Sequence, residues 1–526
     1  MIRKILLLSL TAATALADRP PNVVVILADD LGIVDIGAYA QKLGSIDKGD
    51  LYYETPRLDA LASEGIAFSQ AYANQLCSPT RASLLTGRFA ARLGFTTATP
   101  YTRTFYNQGL PVPEGGSPHD AFAHIDNIPG SLAWKNAYSN TALPKDIPVL
   151  PKVLATHESA FIGKWHIGGH GAAGHRPSDY GFEELAWLDA GGSNYFNWRK
   201  SWNNRRPPSP KFPADQRVIG SAGESCGKEY LTDELTAQAI RYLEKRAEQP
   251  DKPFFLHFCH FSVHTPLQGK KEWVEHFKKK PQRGRHHHDQ PVYAAMVKSL
   301  DESVGAIIDT LRRTGLDENT LVVFLSDNGG VEYTDPPATD NAPFKGGKAC
   351  LHEGGVRVPM IVWGKRVAAP GRWSDAVVNC TDLLPSLAAL TGNEIPADLD
   401  GLSIVPLLDK PAANWPERTI LWHYPFNVSV VDPSTNHPLT PHSAIRVGPH
   451  KLIWDWQGRL ELYDIPADPF EEKDLAVENP ELAGKLHRQL KQWLRENVEP
   501  RYLPTLNPDY RPQDDPRPAF RDLRAD

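Results

Sequence analysis

The chain has 526 residues, long for one compact core, so one large domain with a smaller one, or two of similar size, is expected. Its composition is that of an ordinary globular protein, and no internal repeat is visible. A formal net charge of −6, with both signs spread along the chain, leaves no polybasic stretch and argues against nucleic acid or an anionic membrane as partner.

Met1 to Ala17 begins with Arg3 and Lys4, runs through an apolar stretch from Ile5 to Leu10 and closes on Ala15-Leu16-Ala17, a small-x-small cleavage pattern. It reads as a secretory signal peptide, too short to span a membrane. The expectation is a chain exported to the periplasm or the exterior after cleavage near Ala17, with no transmembrane segment.

Asn22-Val23-Val24-Val25-Ile26-Leu27-Ala28 is a continuous β-branched run, the pattern of a central parallel strand covered on both faces. It ends in Asp29-Asp30, and ligands of open α/β sheets gather at such strand ends. Downstream, Leu321 to Ser326 repeats the arrangement and delivers Asp327-Asn328-Gly329-Gly330. Three carboxylates and an amide oxygen suit a hard divalent ion such as calcium better than zinc. Each pair, taken alone, equally reads as caps of neighbouring helices.

Between the two, Cys77-Ser78-Pro79-Thr80-Arg81 opens a run of good helix formers, with Pro79 suited to a first turn. Cys77 then sits at a helix N-terminus, where unpaired amides favour an anion, and Arg81 comes round to the same face. Alone, such a cysteine reads as a buried apolar residue, half a disulfide or a thiolate nucleophile. Cys226, Cys259, Cys350 and Cys380 remain for pairing in an exported protein, in an arrangement the sequence does not assign.

Residues 95–148 are rich in Pro, Gly, Asn and Thr and read as loop. Ala160 to Gly168 places Lys164 and His166 two residues apart, on one face of an extended segment. The glycine- and aromatic-rich stretch 169–227, with Trp187, Asn194, Tyr195, Trp198 and Trp202 ahead of a Pro207–Pro210 break, fits either a sugar-stacking cleft or a loop anchored by its tryptophans. Tyr230 to Arg246 is helical, and the strand 253–261 buries His257 and His260 and releases His264 at its exit. His286-His287-His288 reads as a solvated loop, with a contact to anionic substrate as the lesser alternative. Gln290 to Arg313 is an amphipathic helix with Val297, Leu300, Val304, Ile307, Ile308 and Leu311 on one stripe.

Pro343 to Pro359 is a glycine-rich loop with two lysines, Lys345 and Lys348, suited to close approach to a charged oxygen. Past Pro411 the chain reads as short antiparallel strands over Thr419–Tyr424, Ser443–Trp456 and Arg459–Tyr463. A closing helix follows, striped by Leu482, Leu486, Leu490, Trp493 and Leu494.

Taken together, C-S-P-T-R followed by A-S-L-L-T-G-R, the D-D and D-N-G-G strand ends, G-K-W-H-x-G at 163–168 and G-K-x(4)-E-G-G-x-R-x-P at 347–359 resemble the type I, formylglycine-dependent sulfatases of the alkaline phosphatase superfamily. The likeness runs from Asp29 to about Leu494. It implies a large mixed, mostly parallel α/β sheet flanked by helices over residues 18–411. After it, residues 412–526 would hold a small C-terminal α+β subdomain with a four-stranded antiparallel sheet and a tail.

By the same resemblance Cys77 is oxidised by a formylglycine-generating enzyme to formylglycine, whose hydrate attacks the sulfur of a sulfate ester and then expels sulfate. One calcium ion would be held by Asp29, Asp30, Asp327 and Asn328, with the modified Cys77 and the sulfate completing its shell. Arg81, Lys164 and Lys348 would neutralise sulfate charge, His166 would help the diol collapse and His264 would assist the leaving group. Lys348 is the bridging lysine by register, and Lys345 is its rival. A sulfated polysaccharide or oligosaccharide is the expected substrate. Two alternatives stay open, a phosphate or phosphonate ester hydrolase of the same superfamily and a non-catalytic calcium-stabilised glycan-binding protein with Cys77 unmodified.

Overall fold

A computed structural model describes residues 19–98, 130–169, 174–200, 202, 223–281, 288–410 and 414–515, together with the backbone of 122–123 and 220–221. The expected signal peptide, the Pro207–Pro210 break, His286 and His287 lie outside the described residues.

Among the described residues nine strands form one sheet: β1 (Asn22–Ala28), β2 (Ile66–Tyr72), β3 (Glu158–Lys164), β4 (Glu183–Leu188), β5 (Gly220–Ser221), β6 (Phe254–Cys259), β7 (Thr320–Ser326), β8 (Met360–Trp363) and β9 (Arg372–Asn379). Their order is β9-β2-β8-β7-β1-β6-β3-β4-β5. The central run β7-β1-β6-β3-β4 is parallel, while β8 and β5 run against their neighbours. Every residue of β1, β6 and β7 is buried. Their near-continuous apolar text has this cause, since helices cover both faces and leave no side for polar residues to face water.

α1 (Cys77–Thr86), α2 (Leu231–Ala247) and α3 (Pro291–Thr314) lie against the sheet. The expected stripe of α3 is buried. The chain then builds a second sheet from β10 (Thr419–Tyr424), β11 (His442–Val447), β12 (His450–Asp455) and β13 (Leu460–Asp464), antiparallel throughout. The expected strand 443–456 is two strands, because Gly448 takes a left-handed turn (φ 55°) between them. α4 (Pro480–Asn497) packs Leu486, Leu490 and Leu494 onto this sheet. The observed architecture is thus the expected α/β class with a large, mostly parallel sheet and a separate four-stranded antiparallel one.

All five cysteines are free thiols. The four candidates for pairing are therefore not paired with one another. The tryptophan-rich stretch is core: Trp187, Tyr195, Trp198 and Trp202 are each at most 2 % exposed, and Trp198 and Trp202 meet edge to face at 5.1 Å. These four side chains anchor the chain on the domain instead of lining an open cleft. His288 is also buried instead of solvated, its Nε2 bonded to the Asp340 carbonyl and 3.6 Å from Asp35 Oδ1. A buried carboxylate 253 positions away in sequence draws it in.

Candidate active site

β1 and β7 are adjacent in register, Ala28 opposite Ser326, so Asp29 and Asp327 leave the sheet side by side. Main-chain bonds continue past the strands and fix that exit: the Asp327 amide donates to the Ala28 carbonyl at 3.1 Å and the Asp29 amide to the Ser262 carbonyl at 2.9 Å. Asp30 takes a left-handed backbone (φ 63°), a conformation aspartate tolerates better than most residues. Its amide is thereby turned to Asp327 Oδ1, at 3.1 Å.

Cys77 is the first residue of α1, 1 % exposed, as its placement ahead of Pro79 predicts. Its Sγ, one oxygen each of Asp29 and Asp30 and a ring nitrogen of His264 all lie within 4.8 Å of one another. Burial pushes the thiol up to about 11, which leaves it protonated at neutral pH despite Lys164 and Lys348 nearby. An unmodified Cys77 is therefore a poor nucleophile here.

Three cations enclose the acids. Arg81 donates from Nε and Nη2 to Asp327 Oδ2 at 3.2 and 2.7 Å and from Nη1 to the Lys164 carbonyl at 2.7 Å. Lys164 Nζ touches both oxygens of Asp29, at 2.9 and 2.7 Å. Lys348 Nζ lies 2.6 Å from Asp30 Oδ1. Burial opposes the charge on Lys348, but Asp30 outweighs it and holds the ammonium protonated well above its ordinary range. Burial likewise opposes ionisation of Asp30, and Lys348, His264 and Lys164 together hold its carboxyl well below the usual range. Asp29 is pushed up, by burial first and by Asp327 and Asp30 after it, against the pull of Lys164 and Arg81.

Lys345 faces away from the site. Its Nζ donates to the Tyr463 hydroxyl at 3.1 Å and the Glu471 carbonyl at 3.3 Å. Of the two rival lysines, Lys348 alone meets the aspartates.

His166 sits beyond the end of β3 with φ 54°, so period-two alternation is not what places it near Lys164. The left-handed turn does that, and Ser78 Oγ fastens it to α1 by donating to the His166 carbonyl at 2.8 Å. Gly191 leaves room for its ring, since a Cβ there would fall 3.1 Å from His166 Nε2.

His264 Nε2 lies 3.6 Å from Asp30 Oδ2, and its Nδ1 lies 2.6 Å from the Thr265 carbonyl. A carbonyl only accepts, so Nδ1 carries the proton and Nε2 presents a lone pair. Burial lowers this imidazole to about 3, with Asp30 pulling the other way and the 19 % of the side chain that reaches solvent tempering the effect. At that value the ring is neutral at pH 7, the form in which Nδ1 donates and Nε2 accepts. His257 and His260 are core residues, as expected, each lowered to about 3 by burial.

Two buried oxygens in the cluster lack a hydrogen-bond donor, Asp30 Oδ2 and Asn328 Oδ1. Asn328 Nδ2 donates to Asp30 Oδ1 at 2.9 Å and the Gly329 carbonyl at 2.8 Å, which leaves its own oxygen to the cavity. An unsatisfied buried acceptor is costly, and two of them beside Asp29 make a set that a hard, oxygen-seeking cation fits. A second cluster, His352, Asp432 and Glu461, has comparable spacing. It already holds cations: Arg459 lies 3.1 Å from Glu461 and 3.4 Å from Asp432, and Lys345 3.9 Å from Glu461.

The family model described as Sulfatase matches residues 21–393, and one described as N-sulphoglucosamine sulphohydrolase, C-terminal, matches residues 346–499. Human N-acetylgalactosamine-6-sulfatase is 32 % identical over 417 residues, 75 % of this chain and 68 % of that one. A sulfatase of Formosa agariphila is 28 % identical over 532 residues, 92 % and 90 % of the two chains. Among solved structures, Ps i-CgsB in complex with k-i-k-neocarrahexaose superposes with a TM-score of 0.69 at 27 % identity, covering 92 % of this chain and 95 % of that one. Likeness of sequence and likeness of shape agree, and the chain belongs to the sulfatase family as a sulfuric ester hydrolase.

Proposed function

We propose that the protein hydrolyses sulfate esters of a carbohydrate, with formylglycine formed from Cys77 and one calcium ion at the aspartates. The observation that carries this reading is the convergence of Cys77 Sγ with Asp29, Asp30 and His264 inside one 4.8 Å set beside two donorless oxygens. When bound, the cation would draw charge from the sulfate oxygens and the aldehyde hydrate would supply an oxygen nucleophile where a thiol is held protonated. Asp29, Asp30, Asp327 and Asn328 would hold the ion.

The remaining work falls to side chains already in place. Arg81, locked to Asp327 and the Lys164 carbonyl, needs no reorganisation to offer its charge, and Lys164 and Lys348 each keep an N–H free for sulfate oxygen. His264, neutral with its proton on Nδ1, must take up a second proton at Nε2 before giving it to the leaving oxygen, and Asp30 at 3.6 Å favours that uptake. His166, tied to α1 through the Ser78 hydroxyl on its carbonyl, would accept a proton on that side of the site. A carbohydrate substrate draws support from the relatives, one named for an N-acetylgalactosamine sulfate and one solved with a neocarrahexaose. The reading also includes export after a leader at 1–17, maturation by a formylglycine-generating enzyme, and division into 18–411 and 412–526.

Mass spectrometry of the Cys77 peptide from active enzyme tests the proposal. The aldehyde or its hydrate is the expected form. An active enzyme carrying only the unmodified thiol would overturn it.

A further inference from the structure

Lys348 is delivered by a loop that does not stand alone. Ala349, next to it, is held in the left-handed region (φ 75°), where a side-chain-bearing residue is strained, with its amide donating to the Gln75 carbonyl at 2.9 Å. The Lys348 amide donates to the Gly330 carbonyl at 2.9 Å. These bonds fix one side of the loop against the strand ends. Its other side is fixed by the small sheet.

Glu353, five residues after Lys348, begins a short helical turn, and its amide donates to Glu471 Oε2 at 2.7 Å. Lys451 Nζ, from β12, lies 2.9 Å from Glu353 Oε1 and 2.9 Å from Glu471 Oε1, and all three side chains are fully buried. The other Glu353 oxygen accepts from the Tyr72 hydroxyl at 2.7 Å and from Arg357 at 3.3 Å. His352 and Lys345 on the same loop also turn outward, to Glu461 and Tyr463. Lys345, His352 and Glu353 are thus spent on the small sheet, while Lys348 faces the aspartates. Burying a lysine between two glutamates adds little to stability over an apolar contact of the same size, so the arrangement is better explained by the geometry it enforces.

We propose that Lys451 and Glu471 of the C-terminal unit are positioning residues for the reaction: they clamp Glu353 and, through the turn 349–353, hold the Lys348 ammonium against Asp30. The small sheet is then part of the catalytic apparatus. The inference rests on the role given to Lys348 above, and the test separates the two.

The test measures kcat and KM of the full-length enzyme with a small aryl sulfate, per formylglycine counted by mass spectrometry, for Lys451→Met, Lys451→Arg, the charge-neutral double variant Lys451→Met with Glu471→Gln, and Lys348→Ala. The double variant guards against a Lys451→Met chain that fails to fold. The expected result is a kcat lower by roughly 10- to 100-fold in the double variant, a scale typical of a misplaced group, with partial recovery in Lys451→Arg. Melting temperature is recorded alongside. A double variant that melts lower but keeps the parental kcat per modified site would show the triad to be structural only and would overturn the clamp. A fully active Lys348→Ala would instead remove the role of Lys348 on which the clamp depends.

Discussion

Two groups of buried charge meet at the 345–357 loop, and they differ in how their oxygens are satisfied. At the seam with the small sheet, Glu353, Lys451, Glu471, Arg357 and Tyr72 close on one another, each carboxylate facing a cation or a hydroxyl, and the one oxygen there without a hydrogen-bond donor, Glu471 Oε1, still lies 2.9 Å from the Lys451 ammonium. At the strand ends, Asp29, Asp30 and Asp327 are also matched by cations, yet Asp30 Oδ2 and Asn328 Oδ1 still lack donors. A closed cluster specifies geometry, and an open one is shaped for something that arrives from outside. The histidine-bearing cluster at Asp432 and Glu461 belongs with the first kind, because Arg459 already fills the place a metal would take.

The contrast breaks most sharply at Cys77. Cys77→Ala should lower turnover of an aryl sulfate by on the order of 10⁴-fold or more, since no other nucleophile replaces it, while circular dichroism and melting temperature stay near the parent. Parental turnover in that variant would remove Cys77 from the chemistry. Next comes Asp30→Asn, which takes a carboxylate from the open cluster and strands the buried Lys348 charge. Activity should fall about 10²- to 10³-fold, and calorimetry should show weaker calcium binding.

Acid sharpens the comparison from the closed side. Burial holds His257 and His260 at about 3 and His423 and His442 at about 4, against 6.5 in an unfolded chain. At these four sites the unfolded state therefore binds protons first as pH falls, so their contribution to stability declines below about pH 6.5 and keeps declining toward those lower values. Glu353, which Lys451 and Arg357 hold down to about 2 against the effect of burial, adds a loss that begins near 4.5. Asp301 and Glu332, pushed up to about 7 by burial, work the other way over the same range, so the check is made on the rings themselves: NMR from pH 8 down to 5 should show these four histidines neutral throughout, and rings titrating near 6.5 would mean they are not buried neutral. The smallest effect is expected at Tyr333, a residue 48 % exposed whose hydroxyl has Lys348, Asp30 and Cys77 for electrostatic neighbours. Tyr333→Ala should raise KM for a sulfated saccharide about 3- to 10-fold while inhibition by inorganic sulfate is unchanged.

What could be read from sequence follows from how local each signal is. The strand ends are legible because a fully buried parallel strand writes its burial as an unbroken apolar run, and the polar residues that follow it must lie at the sheet's edge. The helix start at Cys77 is legible for the same local reason. The tryptophans of 187–202 are not, because aromatic richness does not say which face meets the core. His288 takes its environment from Asp35, and Glu353 from Lys451 and Glu471, partners that only the folded chain brings near. His166 reaches its place by a single left-handed residue, which periodicity does not encode. The choice between Lys345 and Lys348, three positions apart, needed the side-chain partners themselves.

The pairing of β1 with β7 has a consequence in time. A ribosome has made more than two hundred further residues before β1 can meet β6 and almost three hundred before it can meet β7, and the clamp on Lys348 waits longer still, for a segment near the carboxyl end. Until then no working centre exists in the growing polypeptide, and the cysteine that ends up 1 % exposed has no fold to bury it.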